Sequence, residues 1–142
     1  MSADSRDFFI SYTRADQGWA EWIAWQLKEA SYSLRIQAWD FHAGGDFIGE
    51  MHRALKTSRR TIAVLSPEYF ASEFAQAEWR AAWALDPTGE KRSLLPVRVA
   101  DCRPDGLLAS RIYVDLVGLD EAAAKQKLLA GVSEQPPEPA TA

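Results

Sequence analysis

Short apolar runs alternate with amphipathic segments along most of this chain, and this alternation restricts its possible folds more than any other feature. The first run is "DFFISYT" (Asp7 to Thr13), and the most continuous is "RTIAVLS" (Arg60 to Ser66). Both are rich in β-branched or aromatic residues, which is typical of buried strands. Three further runs predict strands: "LRIQAWD" (Leu34 to Asp40), "SLLPVRVA" (Ser93 to Ala100) and "RIYVDLVG" (Arg111 to Gly118).

Helical signals separate these five strands. After the first strand, apolar residues recur at the spacing of one helix face: Trp19, Ile23, Leu27 and Ala30. Thr13 and Asp16 precede them with the spacing of a capping box. Ser66 as N-cap and Pro67 at the first helical position open another helix. Two more segments, 47–58 and 120–132, complete the alternation and predict an α/β fold, with a five-stranded parallel sheet and helices on both faces.

Length and charge limit the domain count and the kinds of partner. The 142 residues suit one domain, which we place at 1–132, with a flexible linker or tail at 133–142 whose sequence "SEQPPEPATA" has nothing to bury. A net charge of −4 gives no electrostatic reason to expect nucleic acid or membrane as a partner. The only cysteine, Cys102, excludes an internal disulfide and a cysteine-based zinc cluster, which favours a cytoplasmic location.

Ligands of open parallel sheets bind at the carboxyl ends of the strands, where the strand order switches. The segments "SYTRAD", "WDFHAGGDF" and "SPEYF" are expected there. The chain has neither a glycine-rich dinucleotide motif nor a P-loop. His42 and His52 lie ten apart, on a loop and a helix, and predict no metal site. Ser11 and Ser66 are candidate nucleophiles without a base in the sequence.

Four motifs together resemble the TIR domain, the module of Toll and interleukin-1 receptors and of resistance proteins. They are "FFISYTRAD", "AWDFHAGGDF", "TIAVLSPEYFAS" and "AEW", and the similarity extends to about Val132. The resemblance implies a flavodoxin-like three-layer sandwich. It is strongest to bacterial TIR domains at the front of signalling or defence proteins, which implies a sensor domain after the linker.

Members of that family either cleave NAD+ at the nicotinamide–ribose bond or act only as adaptors that recruit other TIR domains. By motif position, the resemblance makes Glu78 the catalytic residue of an NAD+ glycohydrolase, for which NAD+ is the substrate and no cofactor is needed. It also implies that TIR–TIR assembly activates the domain. The substrate contacts that it suggests are Tyr12, Arg14, Asp40, Gly44, Phe47 and Phe74. Two residues depart from the family pattern: Phe74 replaces a usual Trp, and Ala43 replaces a frequent Pro in the BB loop, residues 40–47.

A single carboxylate can suffice for this reaction. Nicotinamide leaves the ribose as a neutral molecule, so no general acid is required, and a nearby carboxylate stabilises the cationic ribosyl group. Spacing alone favours a solvated residue on a helix surface for Glu78, and only the resemblance to the family favours the catalytic role. Of the neighbouring acids, Glu68 lies in a first helical turn and complements the helix dipole, and Glu73 matches no family position. The non-catalytic adaptor therefore stays open as the rival function.

Overall fold

Five parallel strands form one sheet in the computed structural model, which describes residues 6–37, 44–45, 47–72, 80, 84, 94–102 and 113–133. The sheet order is β2-β1-β3-β4-β5. The strands are β1 (Arg6–Ser11), β2 (Leu34–Ile36), β3 (Ser58–Leu65), β4 (Leu94–Arg98) and β5 (Val114–Asp115). This arrangement confirms the predicted flavodoxin-like α/β fold.

Helices follow the strands in the predicted alternation. They are α1 (Gln17–Glu29), α2 (Phe47–Thr57), α3 (Pro67–Ala71) and α4 (Glu121–Val132). The Ser66 hydroxyl caps α3 by accepting from the Tyr69 backbone N–H at 3.1 Å, with Pro67 at the first helical position. The Asp120 carboxylate caps α4 by accepting from Ala123 N–H at 2.8 Å. Among the residues that the structure describes, no helix is both long and apolar enough to cross a membrane.

Two apolar clusters cover the two faces of the sheet. Ile62 and Val64 of β3 pack in one cluster with α1 and α4, whereas Ala63 and Leu65 pack in the other with residues of α2 and α3. All four are fully buried. Successive side chains of a strand point to opposite faces, so β3 is the central strand of a three-layer sandwich, as its continuous apolar sequence predicts.

A buried arginine joins the central strand to the last helix. Arg60 of β3 is 5% exposed, and its Nη1 donates to the Val132 carbonyl oxygen at 2.8 Å. Its guanidinium also lies over the Phe8 ring, 5.7 Å from the centroid. The contact satisfies one of the carbonyls that a helix end leaves without an intrahelical partner, and it fixes the last turn of α4 against the sheet.

The predicted helix after β3 proved shorter than expected. Helix α3 ends at Ala71, because Ser72 has φ −88° and ψ 123°, outside the helical region. Serine favours helix ends, since its side chain competes for backbone hydrogen bonds. The helix that Ser66 and Pro67 open therefore stops before Ser72, and residues 73–79, which include the predicted catalytic Glu78, lie outside the described part of the chain.

The last two elements of the sheet also differ from prediction. Strand β5 was expected over Arg111 to Gly118; within the described residues 113–118 it pairs with β4 only at Val114 and Asp115. The Asp115 carboxylate accepts from Val117 N–H at 3.1 Å, a local bond that turns the chain away. Pro96 lies in β4 just before Val97, the first residue of β4 that pairs with the edge strand β5. Among the described residues, its missing N–H therefore interrupts no pair between these two strands.

Candidate functional site

The topology places one crevice at the carboxyl ends of β1 and β3. The chain passes from β1 outward to β2 and then returns to β3 on the other side of β1, so the strand order switches between β1 and β3. Strand β1 ends at Ser11, which pairs with Ala63, and β3 continues two residues further to Leu65. Ligands of open α/β sheets bind outside such a switch point, and the segments 12–16 and 66–69 border it here.

A buried carboxylate ties these two segments together. Asp16 is 8% exposed, and its Oδ2 accepts hydrogen bonds from the hydroxyls of Thr13, at 3.0 Å, and of Ser66. Two hydroxyl donors offset part of the cost of burying the charge. Since Ser66 also caps α3, the carboxylate fixes the start of α3 relative to the end of β1.

The two candidate nucleophiles have structural partners. Ser11 Oγ lies 2.9 Å from the Tyr69 hydroxyl, with both residues buried, and Ser66 is fully buried between Asp16 and the Tyr69 backbone N–H. A hydroxyl without solvent access that is already engaged in hydrogen bonds is poorly placed to attack a substrate. These serines therefore have a structural role and connect the end of β1 with the start of α3.

Thr13 does not act as the capping box predicts. In a capping box the threonine hydroxyl accepts from a backbone N–H, but Thr13 Oγ1 donates to the Asp16 carboxylate, and the Asp16 N–H donates to the Thr13 carbonyl at 2.9 Å. The segment Arg14–Asp16 forms a 3-10 turn before α1. The T-x-x-D spacing thus belongs to a hydrogen-bond network around Asp16. Neither this network nor the bond between Tyr69 and Ser11 was predicted from the sequence.

Of the predicted substrate contacts, two share the rim of this crevice. Tyr12 directly follows β1 and is half-buried against the α1–α4 side of the core, and Arg14 is exposed in the 3-10 turn. Gly44 is exposed and has a φ of +86°, which a glycine adopts without strain. Phe47 begins α2. The remaining predicted residues, Asp40, Phe74 and Glu78, lie outside the described residues.

A second polar cluster lies at the end of β4. Arg98 reaches Asp115 with two parallel bonds, from Nε to Oδ1 at 3.1 Å and from Nη2 to Oδ2 at 3.0 Å. Its Nη1 donates to the Asp101 carboxylate at 3.2 Å and to the Cys102 carbonyl at 3.0 Å. The hydrogen bonds from Arg98 hold the pKa of the Asp115 carboxyl below its usual range. A bidentate contact of this kind fixes the relative orientation of the two side chains and also pairs their charges.

Replacing Asp115 with Asn is expected to remove an acid-sensitive part of the stability. A carboxyl whose pKa is lowered by folding adds stability above the pKa of the unfolded chain, about 4 for Asp, and loses it as the pH falls towards the folded value. The melting temperature of the variant should thus be a few degrees below wild type at pH 7, and the gap should narrow below about pH 4. Thermal melts from pH 2 to pH 8 measure it.

The control for this pair is Asp101→Asn. The Asp101 side chain also contacts Arg98 but is 96% exposed, and exposed ion pairs add little stability. A gap between wild type and Asp115→Asn that stays constant down to the lowest pH would contradict the assignment of the acid sensitivity to Asp115.

Cys102 does not supply a nucleophile at this edge of the sheet. Burial raises the pKa of its thiol, an effect that the charge of Arg98 only partly opposes. The thiol is therefore protonated at neutral pH, and the thiolate is the reactive form.

Comparison with known proteins places this arrangement in a family. A family model described as TIR domain matches residues 8–129. The Toll protein of Drosophila melanogaster is 38% identical over 79 residues, which are 54% of this chain and 7% of Toll. The match thus covers less than a tenth of the length of this curated relative.

Solved structures share the fold. The TIR domain of the Toll-related receptor TRR-2 from Hydra magnipapillata superimposes with a TM-score of 0.74, at 21% identity, covering 88% of this chain and 95% of that domain. A metazoan TIR-STING receptor from C. gigas, solved in complex with 2',3'-cGAMP, gives a TM-score of 0.76 at 21% identity, covering 96% of this chain and 42% of the receptor. At such identities the likeness concerns the fold alone.

Proposed function

This chain belongs to the TIR domain family, and on that premise we propose that it is an NAD+ glycohydrolase with Glu78 as the catalytic residue. It would release nicotinamide and ADP-ribose or a cyclised form in prokaryotic immune or stress signalling, in the cytoplasm, as one module of a longer protein. Membership of the family supports NAD+ cleavage as one of the family's two uses. The position of Glu78 in the family motif selects this use for the chain.

The observation that carries the proposal is the crevice between β1 and β3. Tyr12 and Arg14 border it on one side, and the capped start of α3 borders it on the other. The segment 73–79, which contains Phe74 and Glu78, begins seven residues after the N-cap Ser66. Arg14 is exposed there, so its guanidinium can reach the phosphates of a dinucleotide. The tyrosine beside it offers a hydroxyl to a ribose and an aromatic edge to a base.

The reaction asks little of the protein beyond electrostatics. The nicotinamide ring is cationic while bonded to ribose, and positive charge passes to the ribosyl carbon as the bond breaks. A carboxylate beside that carbon stabilises the charge in a site with little water, and an aromatic side chain such as Phe74 attracts the pyridinium ring. No metal ion takes part in this scheme.

Assembly with other TIR domains is part of the proposal. The BB loop, residues 40–47, contains Gly44, which is exposed at a positive φ. Glycine permits many backbone conformations, and a site that includes such a residue needs further contacts to be preorganised. We infer that a neighbouring TIR domain orders the loop, and that the contact energy offsets the entropy lost by the loop.

Nicotinamide release per molecule is accordingly expected to rise steeply with protein concentration. The measurement is chromatography of the products across a wide dilution series, with light scattering on the same samples. Gly44→Val should lower both assembly and turnover. A Cβ at Gly44 meets no atom within 4 Å, so the effect would come from the backbone, where a positive φ costs a branched residue about 1–2 kcal/mol.

Gly118→Val provides the matched control. Gly118 also has a positive φ, +78°, with open space around its Cα, but it follows β5 at the far edge of the sheet. It should lose similar stability and keep its turnover. Activity per molecule that is constant in a monomeric sample would refute activation by assembly while leaving Glu78 as the catalytic residue. Absence of nicotinamide at every concentration would refute the enzyme itself.

The exposed aromatic surface of α1 favours a second candidate, a non-catalytic adaptor. Trp25 is 51% exposed, which is unusual for so large an apolar side chain and typical of surfaces that contact proteins. An adaptor would form the same assemblies in the dilution series without releasing nicotinamide.

A further inference from the structure

An open groove lies between the amino-terminal parts of α1 and α4. Its volume is about 530 Å³, and it is lined by Gly18, Trp19, Trp22, Leu119, Glu121 and Ala124. A volume of this size falls within the range of about 300–1,000 Å³ that is usual for small-molecule sites. Six lining residues are few beside the roughly 20–30 residues that each partner gives to a stable protein interface.

Two indole rings form the fixed walls of the groove. The rings of Trp19 and Trp22 are 5.7 Å apart between centroids and nearly perpendicular, at 83°. Both side chains are partly buried and pack against the main apolar cluster, so their positions are set before any ligand arrives. Leu119 and Ala124 add apolar contact surface between the rings.

The groove also carries one negative charge. Glu121 is the only charged residue among the described residues that line it, and its Oε1 accepts from the Trp22 indole N–H at 3.5 Å. The amino-terminal ends of two helices contribute partial positive charge here. The carboxylates of Asp16, Asp120 and Glu121 lie at those same ends and offset it.

Two lysines of these helices have partners outside the described lining of the groove. The Lys28 ammonium lies over the exposed Trp25 ring, 5.1 Å from its centroid, and Lys125 pairs with Glu29 at 3.7 Å. The contact between Lys28 and Trp25 shows that an ammonium group already lies over an indole ring of α1. The described lining of the groove contains neither lysine nor arginine, so a ligand would supply the cation that matches Glu121.

We propose that the groove binds a small quaternary-ammonium compound. The cation lies against the faces of Trp19 and Trp22 by cation–π attraction, its methyl groups contact Leu119 and Ala124, and Glu121 supplies the opposite charge. A primary ammonium is strongly hydrated and gives up its water less readily. The groove consequently favours methylated ammonium over unmethylated ammonium.

Three small probes separate charge from shape. Choline carries the quaternary cation, 3,3-dimethylbutan-1-ol has the same shape without charge, and ethanolamine has an unmethylated ammonium. Binding is followed by the ¹H–¹⁵N resonances of the indole groups of Trp19 and Trp22, assigned from the spectra of Trp19→Phe and Trp22→Phe. Choline should shift both resonances saturably, with an affinity about fivefold or more above either other probe, as cation–π attraction at partly exposed sites implies.

Glu121→Gln tests the charge directly. Glu121 is exposed, so the replacement leaves the core intact, and it should weaken choline binding about threefold or more, because the neutral amide removes the only charge of the described lining. Glu21→Gln, on α1 but outside the groove, should bind choline as wild type does. Equal binding of choline and its neutral analogue, unchanged binding by Glu121→Gln, or no saturable shift would each overturn the proposal. So would shifts of these resonances with protein concentration alone, which would assign the groove to a second copy of the chain.

Discussion

Glu78→Gln is expected to reduce NAD+ cleavage to background, a loss of at least about 10²–10³-fold, which is the usual cost of removing one group that stabilises transition-state charge. The amide is nearly the same size as the carboxylate but neutral, so it cannot stabilise a ribosyl cation. The measurement is nicotinamide release by chromatography at a protein concentration where the wild type is active, with circular dichroism to verify the fold.

Glu68→Gln is the matched control for this substitution. Glu68 is exposed in the first turn of α3, where the helix dipole accounts for an acid, so its replacement should leave turnover unchanged. Wild-type turnover in a folded Glu78→Gln variant would remove Glu78 from the mechanism. An equal loss in both variants would indicate that acidic charge near α3 matters generally, and not one carboxylate.

Ala63→Asp is expected to lower the free energy of unfolding by about 3–5 kcal/mol, the cost of an uncompensated buried charge or of the proton that neutralises it. Ala63 is fully buried in β3, the central strand, and its backbone pairs with Ser11 of β1 and Pro96 of β4. Its side chain belongs to the cluster that contains Phe9 and Tyr69, so a carboxylate there meets apolar atoms. Urea titration at neutral pH gives the change.

Ala122→Asp separates burial from the mere addition of charge. Ala122 is exposed in the first turn of α4, where an acid is favourable, and this variant should be as stable as wild type or slightly more stable. A midpoint for Ala63→Asp equal to that of Ala122→Asp would contradict the burial of β3 on both faces.

Local sequence predicted those parts of the fold that local physics determines. The apolar run of β3 indicated the central strand, and Ser66 with Pro67 indicated the start of α3, because a strand buried on both faces and a capped helix each leave a pattern within a few residues. The end of α3 was missed. Helix α3 ends because Ser72 has an extended backbone, with ψ at 123°. Since serine occurs within helices as well as at their ends, the residue type alone does not predict this end.

The crevice was predictable in position but not in construction. The prediction of parallel strands put Tyr12 and Arg14 just after the carboxyl end of β1, where the structure has them. Their contact with a substrate stays a prediction. The hydrogen bond between Asp16 and Ser66 joins residues that are 50 apart in sequence, and no periodicity or spacing predicts such a contact. From the sequence, Asp16 is consequently predicted only as part of a capping box, and Tyr69 is not predicted as the partner of Ser11.

The attachment of Arg60 to the Val132 carbonyl has a mechanical meaning. Arg60 belongs to the central strand, and its 2.8 Å hydrogen bond joins that strand to the last residue of α4. Tension applied to the chain beyond Val132 therefore acts on β3 through this bond, in addition to pulling α4 away from the sheet. Strand β3 is held on both sides by β1 and β4, so it resists such a load through two ladders of backbone bonds at once. A pull at this end of the domain is thereby delivered to the same strand whose other end borders the crevice.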